Sequence, residues 1–124
     1  MTIDSNIIIA YLAGDKDVIK VLSQWQKDGK PLFVSTIAEA EVLSFRGSTT
    51  VERHIMKKLI EENFVSVPFD KTLASIAANL RRNFEGIKLP DAAIAATALF
   101  TGTPLVTRNE RDFRKIHGLL IISI

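Results

Sequence analysis

Short apolar runs alternate along the chain with longer segments in which apolar residues recur every three or four positions. The short runs have the length of buried strands, and the longer segments have the periodicity of helices that pack on one face. This alternation is typical of β-α-β units around a parallel sheet and predicts an α/β fold. Five strands are predicted, at residues 1–3, 32–35, 64–67, 105–107 and 119–122.

Three of the helical segments carry an apolar stripe that we expect to face the core. Asp70 is the predicted N-terminal cap of the third segment, and Gly86 marks its end. Pro90 suits the first turn of a further helix that runs to Gly102. The three stripes consist of Val18, Val21, Leu22 and Trp25, of Val51, Ile55 and Leu59 with Met56 and Ile60, and of Leu73, Ile76, Ala77 and Leu80.

The composition is that of one soluble globular domain, which we place over residues 1–124. Of the 124 residues, 47% are hydrophobic and 24% are charged, close to the average for such domains. No apolar run approaches the roughly 20 residues that span a bilayer, and no secretory signal is recognisable at the start. The chain has no cysteine, which excludes disulfides and thiolate metal sites and fits a cytoplasmic location.

Acidic residues stand where strands end or where the following helices begin. Asp4 directly follows the first strand, where an aspartate either caps the next helix or binds a metal ion at the sheet edge. Asp91 opens an alanine-rich helix, where the helix dipole favours an acid and where close packing can carry it towards the sheet. Ligands of open α/β sheets bind beyond the carboxyl ends of the strands, so both acids have a structural and a functional interpretation.

Two glutamates follow the second strand, and their expected roles differ. Thr36 and Glu39 have the spacing of a capping box, which explains Glu39 structurally. Glu41 falls within the apolar stripe of the same helix, between Ile37 and Phe45. Because an unpaired buried carboxylate is costly, we expect Glu41 either to form a buried salt bridge or to bind a cation.

A polar cluster that includes further acids follows the fourth strand, at residues 107–113. An acid of this cluster would meet Asp4, Glu41 and Asp91 at one edge of the sheet. Carboxylates brought together repel one another and raise each other's pKa unless a cation neutralises them. The pattern therefore predicts a site for Mg²⁺ or Mn²⁺, a hard cation that can activate water and stabilise charge on a phosphoryl group.

Four segments, in this order along the chain, resemble the PIN domain family and in particular its small VapC-type ribonuclease toxins. The segments are residues 3–6, 35–43, 89–98 and 105–113. The resemblance implies a single PIN-like domain, with a central parallel sheet of about five strands and helices on both faces. It also implies a homodimer that a VapB-type antitoxin neutralises.

The resemblance further implies an Mg²⁺-dependent endoribonuclease that cleaves the phosphodiester bonds of RNA, as the toxin of a VapBC-type pair. Thr107 and Asn109 would stand beside the metal ligands in the catalytic site as polar support. The implied metal ligands are Asp4, Glu41, Asp91 and Asp112.

The charge distribution agrees with an RNA substrate. Without the four proposed ligands, the remaining charged residues are 16 basic and 10 acidic, which leaves a charge of +6. A basic cluster stands next to the proposed site, where its members either bind RNA phosphates or form ordinary surface charge. It consists of Arg108, Arg111, Arg114 and Lys115. Asn6 is a further, weaker candidate for substrate binding.

Two other functions remain open at this point. One is a phosphohydrolase acting on a small molecule at a similar acidic edge, which would need a shaped pocket and fewer peripheral arginines. The other is a PIN module that serves in RNA processing, or that binds RNA or protein partners without catalysis. The presence of all four acids argues against a catalytically silent module.

Overall fold

Five short strands form one parallel sheet in the computed structural model, which describes all 124 residues. The strands are β1 (Thr2–Ile3), β2 (Phe33–Ser35), β3 (Val65–Val67), β4 (Leu105–Val106) and β5 (Ile121–Ile122). Their order across the sheet is β3-β2-β1-β4-β5, and all four pairings are parallel. Each predicted strand is present in a slightly shorter form, and the predicted α/β class is confirmed.

Seven helices connect and flank the strands. They are α1 (Ser5–Leu12), α2 (Lys16–Lys27), α3 (Thr36–Leu43), α4 (Thr50–Asn63), α5 (Lys71–Asn83), α6 (Leu89–Thr101) and α7 (Glu110–Phe113). As predicted, Asp70 caps α5 by accepting a hydrogen bond from the backbone N–H of Leu73, and Gly102 ends α6 with a φ of 66°. None of these helices combines the length and apolar character that crossing a bilayer requires.

The order of the strands creates a switch point beside β1. From β1 the chain steps through β2 to β3 in one direction, and α5 and α6 then return it to β4 on the other side of β1. Because parallel crossovers are right-handed, this reversal places the two sets of helices on opposite faces of the sheet. It also opens a crevice between the carboxyl ends of β1 and β4, which is where ligands of such sheets bind.

The core lies on both faces of the sheet and holds α6 close to it. The strand residues Ile3, Val34 and Leu105 are fully buried. In α6 the seven consecutive residues 92–98 are all buried, and five of them are alanines. Their small side chains let the helix axis approach the strands closely, so that the first turn of α6 lies near the carboxyl edge of the sheet.

One of the three predicted apolar stripes is wrong. The stripes of α2 and α5 face the core, where Val18 and Leu73 are buried. In α4, by contrast, Val51 is 68% exposed and Ile55 is 52% exposed, while Ile60 alone is buried. The helix that α4 contacts most is α3, which has only eight residues and is too short to cover the whole apolar stripe.

Candidate metal centre at the carboxyl edge of the sheet

Asp4 lies at the end of β1, in the crevice beside β4, and is only 4% exposed. Its Oδ1 accepts a hydrogen bond from the backbone N–H of Ser5 at 2.8 Å, and Asp4 is the N-cap of α1. Its Oδ2 accepts a hydrogen bond from the hydroxyl of Thr107 at 2.7 Å. Asp4 therefore caps a helix and also presents a buried carboxylate of fixed orientation at the switch point.

Thr107, fully buried after β4, connects Asp4 with the start of α7, the helix that carries Asp112. Its hydroxyl accepts a hydrogen bond from the backbone N–H of Asn109 at 2.9 Å, and the Asn109 side-chain amide donates to Oδ2 of Asp112. The side-chain amide of Asn6 donates to the same Thr107 hydroxyl at 3.4 Å. The structure thus brings these predicted site residues together in one hydrogen-bonded network that orients Asp4 and Asp112.

Asp91 and Glu41 complete the acidic group from two different helices. Asp91 is partly buried in the first turn of α6, close enough to Asp4 and Asp112 for their charges to raise its pKa. Glu41 of α3 is influenced by the charges of Asp4 and Asp91. The expected burial of Glu41 is wrong, because its side chain is exposed, and it forms no salt bridge.

The predicted capping box at Thr36 and Glu39 is also wrong. The cap of α3 is Ser35, whose hydroxyl accepts a hydrogen bond from the backbone N–H of Ile37 at 3.1 Å. Glu39 accepts a hydrogen bond from the Ser66 hydroxyl instead. Serine and threonine are similarly good caps, so the sequence pattern could not decide which of the two adjacent residues begins the helix. Glu39 still has a structural role and contributes nothing to the acidic group.

Three of the four acids have a pKa above the ordinary value for their type. Burial is the largest cause of the raised pKa of Asp4, and the hydrogen bonds from Thr107 and Ser5 oppose it. Burial also leads for Asp91, followed by the charges of Asp4 and Asp112. For Glu41, which is exposed as a whole residue, the partial desolvation of its carboxylate leads, the Ser5 hydroxyl opposes it, and the charges of Asp4 and Asp91 add to it. The acids form one electrostatic group that a nearby cation would stabilise.

The chemistry of this donor set suits Mg²⁺ or Mn²⁺, which prefer carboxylate oxygens. No three acidic or histidine side chains lie close enough together to surround an ion on their own. Mg²⁺, however, usually keeps several of its waters and binds one or two protein carboxylates directly. A fixed carboxylate at Asp4, with more exposed acids around it, fits an ion that remains partly hydrated.

Arg108, for which the sequence left open RNA phosphate binding or ordinary surface charge, already interacts with other groups of the protein. Its Nη2 donates to Oδ2 of Asp15 at 2.9 Å, and its Nε donates to the backbone carbonyl of Ile124 at 3.1 Å. The guanidinium therefore ties the start of α2 to the region after β5. Arg111 and Arg114 are exposed and form no salt bridge, so they stay candidates for substrate binding.

The sequence matches one known family over nearly its whole length, since residues 1–119 match the PIN domain. The chain belongs to the PIN domain family. It is also similar to ribonuclease VapC1 of Rickettsia felis, with 30% identity over 133 aligned positions that cover 100% of this chain and 96% of that protein. The family predicted from the four sequence segments is confirmed.

Solved structures share the fold of this PIN domain. VapBC2 from Rickettsia felis, bound to a DNA fragment from its promoter, superposes with a TM-score of 0.87 at 18% identity, over 99% of this chain and 97% of that chain. A toxin-antitoxin complex from Klebsiella pneumoniae superposes with a TM-score of 0.78 at 28% identity, over 98% of this chain and 94% of that chain. The predicted fold, a parallel sheet of five strands with helices on both faces, is confirmed.

Two residues of this PIN domain site, Ser5 and Lys88, were not predicted from the sequence. The hydroxyl of Ser5 lies 3.5 Å from Oδ1 of Asp4. The charge of Lys88, like that of Lys115, partly offsets the raised pKa of Asp91. Ser5 directly follows Asp4 and Lys88 precedes Asp91 by three residues, so proximity along the chain was a usable signal for both.

Proposed function

We propose that this PIN domain is an Mg²⁺-dependent endoribonuclease that cleaves RNA phosphodiester bonds. The ribonuclease class predicted from the sequence is confirmed by the family and by the similarity to ribonuclease VapC1. The dependence on Mg²⁺ is supported by one observation above all: four carboxylates near the carboxyl edge of the sheet interact through their charges, three of them have a raised pKa, and none forms a salt bridge. A divalent cation is the natural neutralising charge for such a group.

In this proposal the ion, when bound, supplies an activated water and positive charge at the phosphoryl group. Asp4 would bind the ion directly, and Glu41, Asp91 and Asp112 would hold it directly or through its waters. Thr107 and Asn109 keep two of these acids in fixed orientations through their hydrogen bonds. One of these carboxylates would take up the proton of the attacking water.

An apolar groove next to the acids is the proposed docking site of an antitoxin segment. The groove has a volume of about 410 Å³ and is lined by Ile9, Leu12, Val42, Phe45 and Met56, with Glu41 at its margin. Ile9 and Phe45 are 52% and 70% exposed, so a partner has apolar surface to cover. A toxin-antitoxin complex shares this fold, and a segment with apolar side chains and one basic residue would complement both the groove and Glu41.

The remaining features of the proposed toxin rest on the sequence. A homodimer is implied by the family resemblance, and the lack of cysteine fits a cytoplasmic location. Both stay predictions.

The substrate class is tested with the purified protein in Mg²⁺. We expect cleavage of a single-stranded RNA oligonucleotide at internal bonds, resolved on a denaturing gel, and no release of nitrophenol from p-nitrophenyl phosphate. Hydrolysis of the small ester without cleavage of RNA would point to a phosphohydrolase. Binding of RNA in Mg²⁺ without any cleavage would point to a catalytically silent PIN module.

A further inference from the structure

Lys115 lies directly over the loop that joins α5 to α6. A β-carbon built on Gly86 would stand 3.2 Å from the ammonium nitrogen of Lys115, so the lysine head group occupies the space that a side chain at this position would need. Gly86 has a φ of 80°, a conformation that favours glycine over residues with a side chain. Because Gly86 has no side chain, Lys115 can extend across this loop from its position after α7.

Lys88 is the last residue of the same loop. It is the N-cap residue of α6, three positions before Asp91. Lys88 stands about one helical turn before Asp91. The Lys115 ammonium lies over Gly86 in the adjoining loop, so both lysines lie on the Asp91 side of the acidic group. In agreement with this placement, their charges partly offset the raised pKa of Asp91. The two lysines therefore flank Asp91 from separate parts of the chain.

Neither lysine has an acidic partner. Both side chains are exposed, and the salt bridges of the protein are those of Lys58 with Glu62 and of Arg108 with Asp15. An unpaired ammonium group next to a group of carboxylates can pair with the phosphate of a bound ligand without first breaking an internal contact. Arg108, a candidate for this role from the sequence, would first have to release Asp15 and the Ile124 carbonyl.

We propose that Lys88 and Lys115 together bind backbone phosphates of single-stranded RNA on the Asp91 side of the acidic site. This role rests on the proposed ribonuclease function and extends it to substrate positioning. Two cations from separate segments can hold the backbone at two points, and this would align a phosphodiester with the carboxylates. The ammonium groups would contact phosphates and not bases. These phosphate contacts would therefore contribute affinity for RNA without sequence preference.

The salt dependence of RNA binding tests this proposal. A labelled single-stranded RNA oligonucleotide is titrated with wild type, Lys88→Gln, Lys115→Gln and the double variant in EDTA at several KCl concentrations, with binding followed by fluorescence anisotropy. We expect the slope of log K against log salt to become shallower by about 0.7 for each lysine removed and by about twice that in the double variant. Each substitution replaces an exposed side chain, so unchanged circular dichroism and melting temperature are expected.

Lys27→Gln is the matched control. It removes the same charge from the last turn of α2, which leads into the amino end of β2, away from the carboxyl edge where the acids lie. Its slope should equal that of wild type. If wild type cleaves RNA in Mg²⁺ and the slopes of the Lys88 and Lys115 variants match the control, the lysine proposal is overturned and the ribonuclease function stands. If wild type neither binds nor cleaves RNA, both proposals fail.

Discussion

Replacing Asp4 with Asn is expected to lower the rate of RNA cleavage by at least about 100-fold while leaving the fold intact. Loss of a residue that only supports a metal ligand already costs about 10- to 100-fold, and Asp4 is proposed as a direct ligand. Asn is as good an N-cap as Asp, so the hydrogen bond from the Ser5 backbone N–H and the start of α1 should persist. The rate is measured under single-turnover conditions in saturating Mg²⁺, with circular dichroism as the check on folding.

Glu39→Gln is the control for this substitution. It removes one negative charge from α3 but keeps an acceptor for the Ser66 hydroxyl, and it lies outside the acidic group. Its cleavage rate should stay within about twofold of wild type, as expected for a surface position away from the reaction. An active Asp4→Asn protein, or an inactive Glu39→Gln protein, would show that the site has been assigned to the wrong acids.

Replacing Asp91 with Asn should raise the melting temperature in EDTA and nearly abolish the stabilisation by Mg²⁺. Without a cation, the Asp91 carboxylate is partly buried and faces the charges of Asp4 and Asp112, a repulsion that the unfolded chain avoids. At a hundred times its dissociation constant, Mg²⁺ should stabilise wild type by about 2.7 kcal/mol, or about 10 °C for a chain of this length. Thermal melts of both proteins, in EDTA and in Mg²⁺, measure these four values.

The pH dependence of the same melts gives an independent check. Because the folded-state pKa values of Asp4 and Asp91 are raised, the stability that their protonated forms contribute is present below about pH 4 and is lost as the pH rises through the folded pKa. The advantage of Asp91→Asn in EDTA should therefore grow from pH 4 towards pH 7. If Asp91 served only the α6 dipole, the variant would be less stable in EDTA and Mg²⁺ would leave the wild-type midpoint unchanged.

The fold could be predicted from the sequence because its strands and most of its helices follow simple periodicities. Leu105 and Val106 form an apolar run that only a buried strand explains, and Val18 and Leu22 are spaced as one helix face. In α4 the same spacing was misleading, because Val51 and Ile55 form an apolar stripe that the protein itself does not cover. Periodicity shows which face of a helix is apolar, but the covering surface can belong to a partner.

The acids of the site were predictable because carboxyl ends of parallel strands share one edge, which places residues distant in sequence near one another. Asp4 and Thr107 are 103 positions apart and form a hydrogen bond. Which basic side chains are paired within the protein and which are free to bind a ligand was not predictable from the sequence. Arg108 finds Asp15 across 93 positions, and Lys115 reaches over Gly86 only once the α5–α6 loop has packed against the segment after α7. Such pairings depend on side-chain positions that local patterns do not determine.

Reversible metal dependence of RNA cleavage tests the central claim most directly. The purified protein is assayed on one RNA oligonucleotide in Mg²⁺, after chelation with excess EDTA, and again after Mg²⁺ is restored above the chelator. We expect cleavage in the first state, none in the second, and recovery of the original rate in the third, because the carboxylate group is then neutralised again. Cleavage that continues at the same rate in EDTA would contradict a metal site at Asp4, Glu41, Asp91 and Asp112.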